Sequence, residues 1–198
     1  PIINPSPRQL VFASNNPHKL SEIRRMAGDK FRILSLEDIG CHDDIPETAD
    51  TIEGNSMIKA RWVKEKYGYD CFADDTGLIV DALGGAPGVK SARYAGPDCD
   101  PEANMALLLR DMQGKADRRA RFRTVVTLIT GQCAEQFTGE VEGEIATVRD
   151  GCSGFGYDPV FIASETGMTF ASMDADAKNA ISHRGRAIRK LFERLATL

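Results

Sequence analysis

Short apolar runs alternate with longer segments of helical spacing along the whole chain. The apolar runs predict strands over residues 9–14, 31–36, 71–73, 121–130, 133–146 and 160–163. Helices are predicted over residues 19–28, 51–67 and 101–113, and a last helix begins at Ser182. In this last segment Ile188, Leu191, Phe192 and Leu195 are spaced i, i+3, i+4 and i+7, so they form one apolar face. Helices and strands mixed in this way indicate an α/β or α+β domain around a central sheet.

Residues that begin and end helices stand at several of these boundaries. Asn16 followed by Pro17, and Asp100 followed by Pro101, each place an N-cap before a proline at the first helical position. Gly68 follows the second predicted helix, where a glycine commonly ends the last turn. The helix bounds therefore rest on local chemistry as well as on spacing.

The composition narrows the class of protein. A hydrophobic content of 42% and a charged content of 27% are those of a soluble globular domain. Without an internal repeat or a long linker, we expect one domain over residues 1–198, with residues 1–8 as a flexible N-terminal extension. The net charge of −4 argues against a general nucleic-acid binder. No apolar run approaches the ~20 residues that a membrane span needs, and the first residues do not resemble a signal peptide.

The cysteines indicate a reducing compartment. They are odd in number, widely scattered and form no CxxC pair, at Cys41, Cys71, Cys99, Cys133 and Cys152. Free thiols in a cytoplasmic protein are the expected state. The three histidines are equally dispersed, so a zinc site is not expected.

The first predicted helix begins in the segment SNNPHK, residues 14–19. If Asn16 caps this helix and Pro17 opens it, the amides of His18 and Lys19 are left to bind an anion. Lys19 in the first turn opposes the helix dipole, and a bound phosphate would remove that conflict. The alternative is that Lys19 simply extends into water.

The last predicted helix repeats this feature. The segment SHRGRA, residues 182–187, places His183, Arg184 and Arg186 in or near the first turn, and Lys178 precedes them. Several basic groups at this end of a helix suggest a bound anion. The alternative is a solvated basic face, because basic residues continue along the helix.

The segment GCSGFGYDP, residues 151–159, is a glycine-rich loop with two aromatic residues. It does not match the phosphate-binding loop of nucleotide kinases. Phe155 or Tyr157 could stack on a planar base, and Asp158 could accept a hydrogen bond from the base or sugar. The alternative is that the aromatic rings fill the core.

A pair of adjacent aspartates ends one apolar run in FADDTGLIVDALGGAPGVKSARYAG, residues 72–96. Two neighbouring carboxylates repel each other and are costly to bury without a partner, so we expect solvent, a cation or a ligand beside Asp74 and Asp75. Mg²⁺ favours one or two carboxylates completed by water and substrate phosphates. Anion-binding cations and metal-binding carboxylates in one chain suggest a nucleoside polyphosphate with Mg²⁺.

Four of these motifs together resemble the inosine triphosphate pyrophosphatase family, the dITP/XTP pyrophosphatases. They are SNNPHK, the 25-residue stretch from 72 to 96, GFGYDPVF and ISHRGRA, which occur in the family's order. The resemblance implies an α/β fold with an elongated central mixed sheet flanked by helices and two lobes with a nucleotide cleft between them. It also implies a cytoplasmic homodimer that uses Mg²⁺ to split ITP, dITP or XTP into the monophosphate and pyrophosphate, which cleanses the nucleotide pool.

The same resemblance assigns roles to individual residues. Asp75 matches the catalytic acidic residue, a metal ligand and proton acceptor, and Glu47 and Asp74 are the other carboxylates that would hold Mg²⁺. The positions that match substrate-binding residues are Ser14, Asn15, Asn16, Pro17, His18, Lys19, Thr76, Phe155, Gly156, Tyr157, Asp158, Lys178, His183 and Arg184.

The mechanism that follows is hydrolysis in which Asp75 activates water and Lys19 stabilises the departing pyrophosphate. A pocket that donates to O6 of hypoxanthine or xanthine would reject adenine, which carries an amino group there. Two other classes of function stay open at this point. One is a nucleotide sensor without turnover, and the other is a phosphohydrolase or kinase with a similar anion site.

Overall fold

The computed structural model describes residues 6–198, in which seven strands and five α-helices form. The strands are β1 (Arg8–Phe12), β2 (Phe31–Leu34), β3 (Cys71–Val80), β4 (Pro87–Gly88), β5 (Arg119–Thr130), β6 (Cys133–Ile145) and β7 (Phe161–Ala163). The helices are α1 (Pro17–Ala27), α2 (Ile52–Tyr67), α3 (Pro101–Asp111), α4 (Ala175–Ile181) and α5 (His183–Leu195).

The strands form a mixed sheet in the order β2-β1-β3-β5-β6-β7, with β4 paired to β3 outside this path. Strand β1 pairs in parallel with β2 and with β3. Strand β4 pairs antiparallel with β3, and β7 pairs antiparallel with β6. The predicted α/β fold with a central mixed sheet is confirmed.

The chain folds into two compact units that are not contiguous in sequence. The first unit contains the residues up to Asp75 together with Val125–Phe137 and Ile188–Leu198. The second unit contains Thr76–Thr124 and Thr138–Ala187. The chain passes from one unit to the other inside β3, β5, β6 and α5, which explains why the sequence shows no linker. Of the predicted N-terminal extension, residues 1–5 lie outside the described residues, and β1 already begins at Arg8.

Each unit has its own apolar core. In the first unit Val11 of β1, Val63 of α2 and Ala73 of β3 are buried together. In the second unit Leu108 of α3 and Phe161 of β7 belong to a larger buried cluster. Burial of such side chains, at about 25 cal/mol per Å² of apolar surface, is the main source of stability for both units.

Most predicted helix starts are confirmed by their capping contacts. Asp100 Oδ1 accepts a hydrogen bond from the amide of Glu102 at 3.0 Å, and Ser182 Oγ accepts one from the amide of Gly185 at 3.0 Å. At the end of α2, Gly68 adopts a left-handed conformation with φ 77°, which glycine reaches without steric cost.

Strand β3 is much longer than the predicted 71–73, because it continues through both aspartates to Val80. Aspartate is unfavourable in strands, so local propensity ends the strand at Ala73. In the structure the later residues Leu78 and Val80 are buried in the core of the second unit, and this packing outweighs propensity. Helix α4 was not predicted, since its seven residues are too few to show a helical period.

Between residues 6 and 198, no helix combines the length and the apolar character that crossing a membrane requires.

Candidate active site

Asp74 and Asp75 lie in β3 immediately beyond its pairing with β1. The register ends at Phe12 opposite Phe72, and the amide of Ala13 donates to the carbonyl of Phe72 at 2.9 Å. The next residues of β3 leave β1 and carry the two carboxylates. Asp74 is only 2% exposed. A carboxylate this deeply buried requires a compensating positive charge, and the first unit provides lysines.

Lys19 in the first turn of α1 is the partner of Asp74. Its Nζ lies 3.2 Å from Asp74 Oδ1. This ion pair explains why a lysine is tolerated near the positive end of the helix dipole without a bound phosphate. The predicted free amides are wrong, because Asn16 Oδ1 accepts hydrogen bonds from the amides of His18 and Lys19 at 3.0 and 3.2 Å.

Lys59 joins Glu47 to Asp75, and the sequence analysis did not identify it. Its Nζ lies 3.1 Å from Glu47 Oε1 and 3.7 Å from Asp75 Oδ1. Helix α2 buries Ile52, Lys59 and Val63 on one face. The helical period of α2 places an apolar residue at position 59. A lysine at such a position is the signal by which Lys59 could have been found from the sequence.

The charges of this cluster shift one another's protonation equilibria. Burial raises the pKa of Asp75 to about 6, an effect that Lys59 opposes and that Asp74 and Glu47 reinforce. Burial acts to lower the pKa of Lys59, but the three carboxylates outweigh it and the net shift is upward. Lys59 is therefore a permanent cation, whereas Asp75 exchanges its proton close to neutral pH, as a general base must.

A cavity of about 310 Å³ opens beside this cluster in the first unit. Its lining residues are Ala13, Ser14, Asn15, Asn16, Lys19, Leu36, Asp43, Asp44, Ile45, Glu47, Lys59 and Asp74. It therefore brings together most of the residues predicted from SNNPHK with two of the predicted metal-binding carboxylates. Pro17, His18 and Asp75 are not in this lining, although Asp75 lies beside it through its contact with Lys59. Asp43, Asp44 and Lys59 are additions that were not predicted from the sequence.

In the second unit, Tyr157 of the glycine-rich loop is buried in the core. Its hydroxyl donates to the carbonyl of Ser91 at 2.6 Å, and its ring belongs to the cluster that contains Val160. The alternative interpretation, an aromatic ring that fills the core, therefore describes Tyr157. Phe155 is the aromatic residue of this loop that is only partly buried.

Phe155, Asp158 and Lys178 form one connected group. Asp158 Oδ2 accepts hydrogen bonds from Lys178 Nζ at 2.6 Å and from the amide of Phe155 at 3.0 Å. Burial raises the pKa of Asp158, and the charge of Lys178 opposes that rise. Lys178 Nζ lies 4.6 Å from the centre of the Phe155 ring, and Arg184 Cζ lies 5.1 Å from it. Asp158 thus holds two of its neighbours through a single oxygen, Oδ2.

The start of α5 is buried, so the alternative of a solvated basic face is wrong for its first two residues. His183 stacks on Phe122 with ring centres 4.6 Å apart and 16° between the ring planes. Arg184 is 4% exposed. Arg186 has a structural contact, because its Nη1 donates to the carbonyl of Glu140 at 2.8 Å. Thr76 Oγ1 lies 2.8 Å from Thr124 Oγ1.

Comparison with known proteins identifies the family. Residues 10–194 match the Ham1 family. The chain belongs to the Ham1 family. A relative from Flavobacterium johnsoniae, named dITP/XTP pyrophosphatase, is 52% identical over 187 residues, which cover 94% of this chain and 97% of the relative.

Solved structures agree with this assignment. A Ham1 protein from Coxiella burnetii matches with a TM-score of 0.90 and 36% identity, covering 96% of this chain and 100% of that one. The Ham1 protein of Staphylococcus aureus matches with a TM-score of 0.89 and 35% identity, covering 96% and 99%. The resemblance stated from the sequence motifs is confirmed at the level of the family and the fold.

The carboxylates of this Ham1 chain suit a metal ion that is shared with a substrate. Among residues 6–198, no group of three or more histidine, cysteine or acidic side chains is arranged to hold a metal alone. Asp75 Oδ2 is buried and accepts no hydrogen bond from the described residues, so it retains a lone pair for a ligand. Mg²⁺ takes one or two carboxylates and completes its shell with water and phosphate oxygens, so Asp75 together with one of Glu47 and Asp74 are the residues that would hold this ion with a substrate.

A Tyr157 that fills the core of this Ham1 chain and a Tyr157 that contacts a nucleotide base should respond differently to substitution. We expect Tyr157→Phe to lower the free energy of unfolding by about 1 kcal/mol, because it deletes the buried hydrogen bond from the hydroxyl to the carbonyl of Ser91. The nucleotide KM stays within twofold of that of the unsubstituted protein, since the ring is retained. Urea denaturation and steady-state kinetics measure both quantities. A large rise in KM with unchanged stability would show that the hydroxyl contacts substrate instead.

Proposed function

We propose that this chain hydrolyses non-standard purine nucleoside triphosphates, dITP, ITP and XTP, to the monophosphate and pyrophosphate. The observation that carries the proposal is the cluster of Asp75, Asp74 and Lys59 beside a cavity, with the pKa of Asp75 raised to about 6. The name dITP/XTP pyrophosphatase of relatives at 52% and 50% identity supports the substrate class. Removal of such nucleotides keeps them out of DNA and RNA.

In this proposal Asp75 is the general base. Its deprotonated carboxylate accepts a proton from a water molecule, whose oxygen attacks the α-phosphorus as the bond to the bridging oxygen of pyrophosphate breaks. Lys19 and Lys59 place positive charge where negative charge grows on the phosphate oxygens. Bound Mg²⁺, held by Asp75 with one of Glu47 and Asp74, would act as a Lewis acid and screen charge on the triphosphate.

The second unit provides donors suited to a purine with an oxo group. Lys178 and Arg184 are cations beside the face of Phe155, and neither can accept a hydrogen bond. An oxo group at position 6 can accept from such donors, whereas the amino group of adenine cannot. Because Asp158 is engaged by Lys178, we assign it to holding these donors in place rather than to contacting the base.

Three further properties belong to this proposal and rest on the resemblance to the family. They are dependence on Mg²⁺, assembly as a homodimer and a cytoplasmic location. The five free cysteines suit a reducing compartment, which is consistent with the last of these.

A turnover panel tests the function directly. We expect dITP and XTP, incubated with Mg²⁺, to release pyrophosphate at least about a hundredfold faster than dATP and dCTP, because rejecting a base that leaves buried donors unpaired discriminates strongly. GTP, which shares the oxo group at position 6, completes the panel. Pyrophosphate and orthophosphate are measured separately. Equal release of pyrophosphate from all five nucleotides would support the proposed reaction but refute the proposed selectivity for the base. Release of orthophosphate would identify a phosphohydrolase of another kind.

A further inference from the structure

The segment between β2 and α2 is long and irregular, yet it carries part of the candidate site. Residues 41–50 contain no helix or strand, and this stretch contributes Asp43, Asp44, Ile45 and Glu47 to the lining of the cavity. A segment without backbone pairing of its own must be held by side chains from elsewhere if it is to present a carboxylate accurately.

Asn55 in the first turn of α2 provides one such contact. It is 1% exposed, and its Oδ1 accepts a hydrogen bond from the amide of Ala49 at 2.9 Å. Ala49 is two residues from Glu47. Because Asn55 is buried and rigidly placed on a helix, this bond fixes the backbone of the segment at that point.

Gly54 provides an independent observation at the same place. A Cβ atom at position 54 would lie 2.7 Å from the Cβ of Ala49 and 2.9 Å from Oγ1 of Thr51. Glycine is among the least favourable residues within a helix, so its presence here calls for a reason. The missing side chain lets Ala49 lie directly against the helix, where Asn55 binds its amide.

One turn further along α2, Lys59 contacts Glu47 itself at 3.1 Å. A third link, the ion pair of Lys66 with Asp43, lies on the surface, and exposed pairs of this kind contribute little. Apart from Lys59, which contacts Glu47 directly, the contact of Ala49 with Gly54 and Asn55 is therefore the anchor of this segment that rests on a buried side chain.

We propose that Gly54 and Asn55 are positioning residues, which hold Ala49 against α2 and thereby place the Glu47 carboxylate beside Lys59 and Asp75. The part that concerns catalysis rests on the proposed function, whereas the part that concerns the segment does not. Neither residue touches substrate in this proposal, and both act through residues 47–49.

Hydrogen exchange measured by mass spectrometry tests the segment itself. We expect Gly54→Ala to speed exchange in a peptide that covers residues 43–50 by about tenfold, because the new methyl group displaces Ala49 and opens its hydrogen bond. Alanine favours the helix, so this variant folds. Asn55→Ala has the same effect by removing the acceptor. The double variant Ala49→Gly with Gly54→Ala restores slow exchange, since it removes the nearer of the two opposing atoms and leaves only Oγ1 of Thr51, which a side-chain rotation moves away.

Lys64→Gln is the matched control. It removes an ion pair of the same helix, with Asp70 at 3.1 Å, that does not involve the segment. We expect exchange over residues 43–50 to stay unchanged in this variant. Unchanged exchange in Gly54→Ala, or fast exchange in the double variant, would overturn the proposed contact.

Kinetics test the consequence for the site. In Gly54→Ala we expect the Mg²⁺ concentration for half-maximal turnover to rise at least fivefold and then to return in the double variant, with the KM for dITP changed less. Faster exchange with an unchanged Mg²⁺ requirement would refute the link to Glu47. Absence of turnover in the unsubstituted protein would refute the proposed function, and the exchange experiment would still decide whether Gly54 and Asn55 hold the segment.

Discussion

Replacing Asp75 by asparagine is expected to lower kcat by about a thousandfold, while the protein stays folded. The carboxylate is the proposed base, and positioned general bases contribute about 10²- to 10⁴-fold. Asparagine has nearly the same shape but accepts no proton at neutral pH. The same assignment requires kcat/KM of the unsubstituted protein to rise with pH through about 6, as Asp75 of the free protein loses its proton. Steady-state release of pyrophosphate from dITP between pH 5 and 8.5 measures both effects.

The free energy of unfolding should rise in Asp75→Asn, in contrast to the fall in turnover. The pKa of Asp75 in the folded protein, about 6, lies above its ordinary value of 3.8. Protonated Asp75 is therefore favoured by folding, and that contribution is complete below pH 3.8 and is lost as the pH rises through 6. Above pH 7 the buried charge costs stability that asparagine does not, so Asp75→Asn should raise the free energy of unfolding by about 3 kcal/mol.

The exposed residue Asp98 offers a matched control for this experiment. Asp98→Asn changes the same chemical group in a loop and should alter neither turnover nor stability by more than about 0.5 kcal/mol. An Asp75→Asn variant that keeps a tenth or more of the turnover would exclude Asp75 as the base. A variant that loses both turnover and stability would show that the carboxylate is needed for folding instead.

Replacing Gly139 by alanine is expected to be the most destabilising single substitution of those considered. Gly139 is buried in β6, and a Cβ there would lie 2.1 Å from the carbonyl oxygen of His183 and 2.5 Å from the amide nitrogen of Ala187. Both atoms belong to the backbone of α5, so the clash cannot be relieved by turning a side chain. The strand or the helix must move, at a cost of about 3 kcal/mol or more.

Thermal unfolding measures this effect. For a chain of this length, 3 kcal/mol corresponds to a fall in Tm of about 6–12 °C. The first turn of α5 carries His183 and Arg184, so the substitution should also raise the KM for dITP. Glu142→Ala, an exposed substitution on the same strand, is the control and should shift Tm by no more than about 2 °C. Equal Tm values for the two variants would contradict the close approach of β6 to α5.

Local chemistry allowed much of the fold to be predicted from sequence. Asn16, Asp100 and Ser182 cap helices through side chains that reach only two or three residues along the chain. Asn16 and Asp100 were predicted as caps, and Ser182 was predicted as the beginning of the last helix. The continuation of β3 past Asp75 could not be found in this way, because it depends on packing of Leu78 with residues distant in sequence.

In the candidate site, too, local features could be predicted from the sequence and contacts between distant residues could not. The aspartate pair was conspicuous, since adjacent carboxylates after an apolar run conflict with simple burial. Their cations were harder to assign. Lys19 is 55 residues from Asp74 along the chain, so the start of α1 alone does not reveal its ion pair with that carboxylate. Lys59 was missed because nothing in its immediate neighbours reveals that α2 turns it toward Glu47.

The hydrogen bonds that Asn16 accepts have a consequence for how this protein would respond to ionic strength. Two amides of the first turn already donate hydrogen bonds to the side chain of Asn16. Attraction for a polyanion at this end of α1 therefore depends on ammonium groups rather than on oriented backbone dipoles. Charges near the surface are screened within about 8 Å at physiological salt. Affinity for a triphosphate at this end of the helix is therefore governed by the surrounding electrolyte as well as by the shape of the cavity.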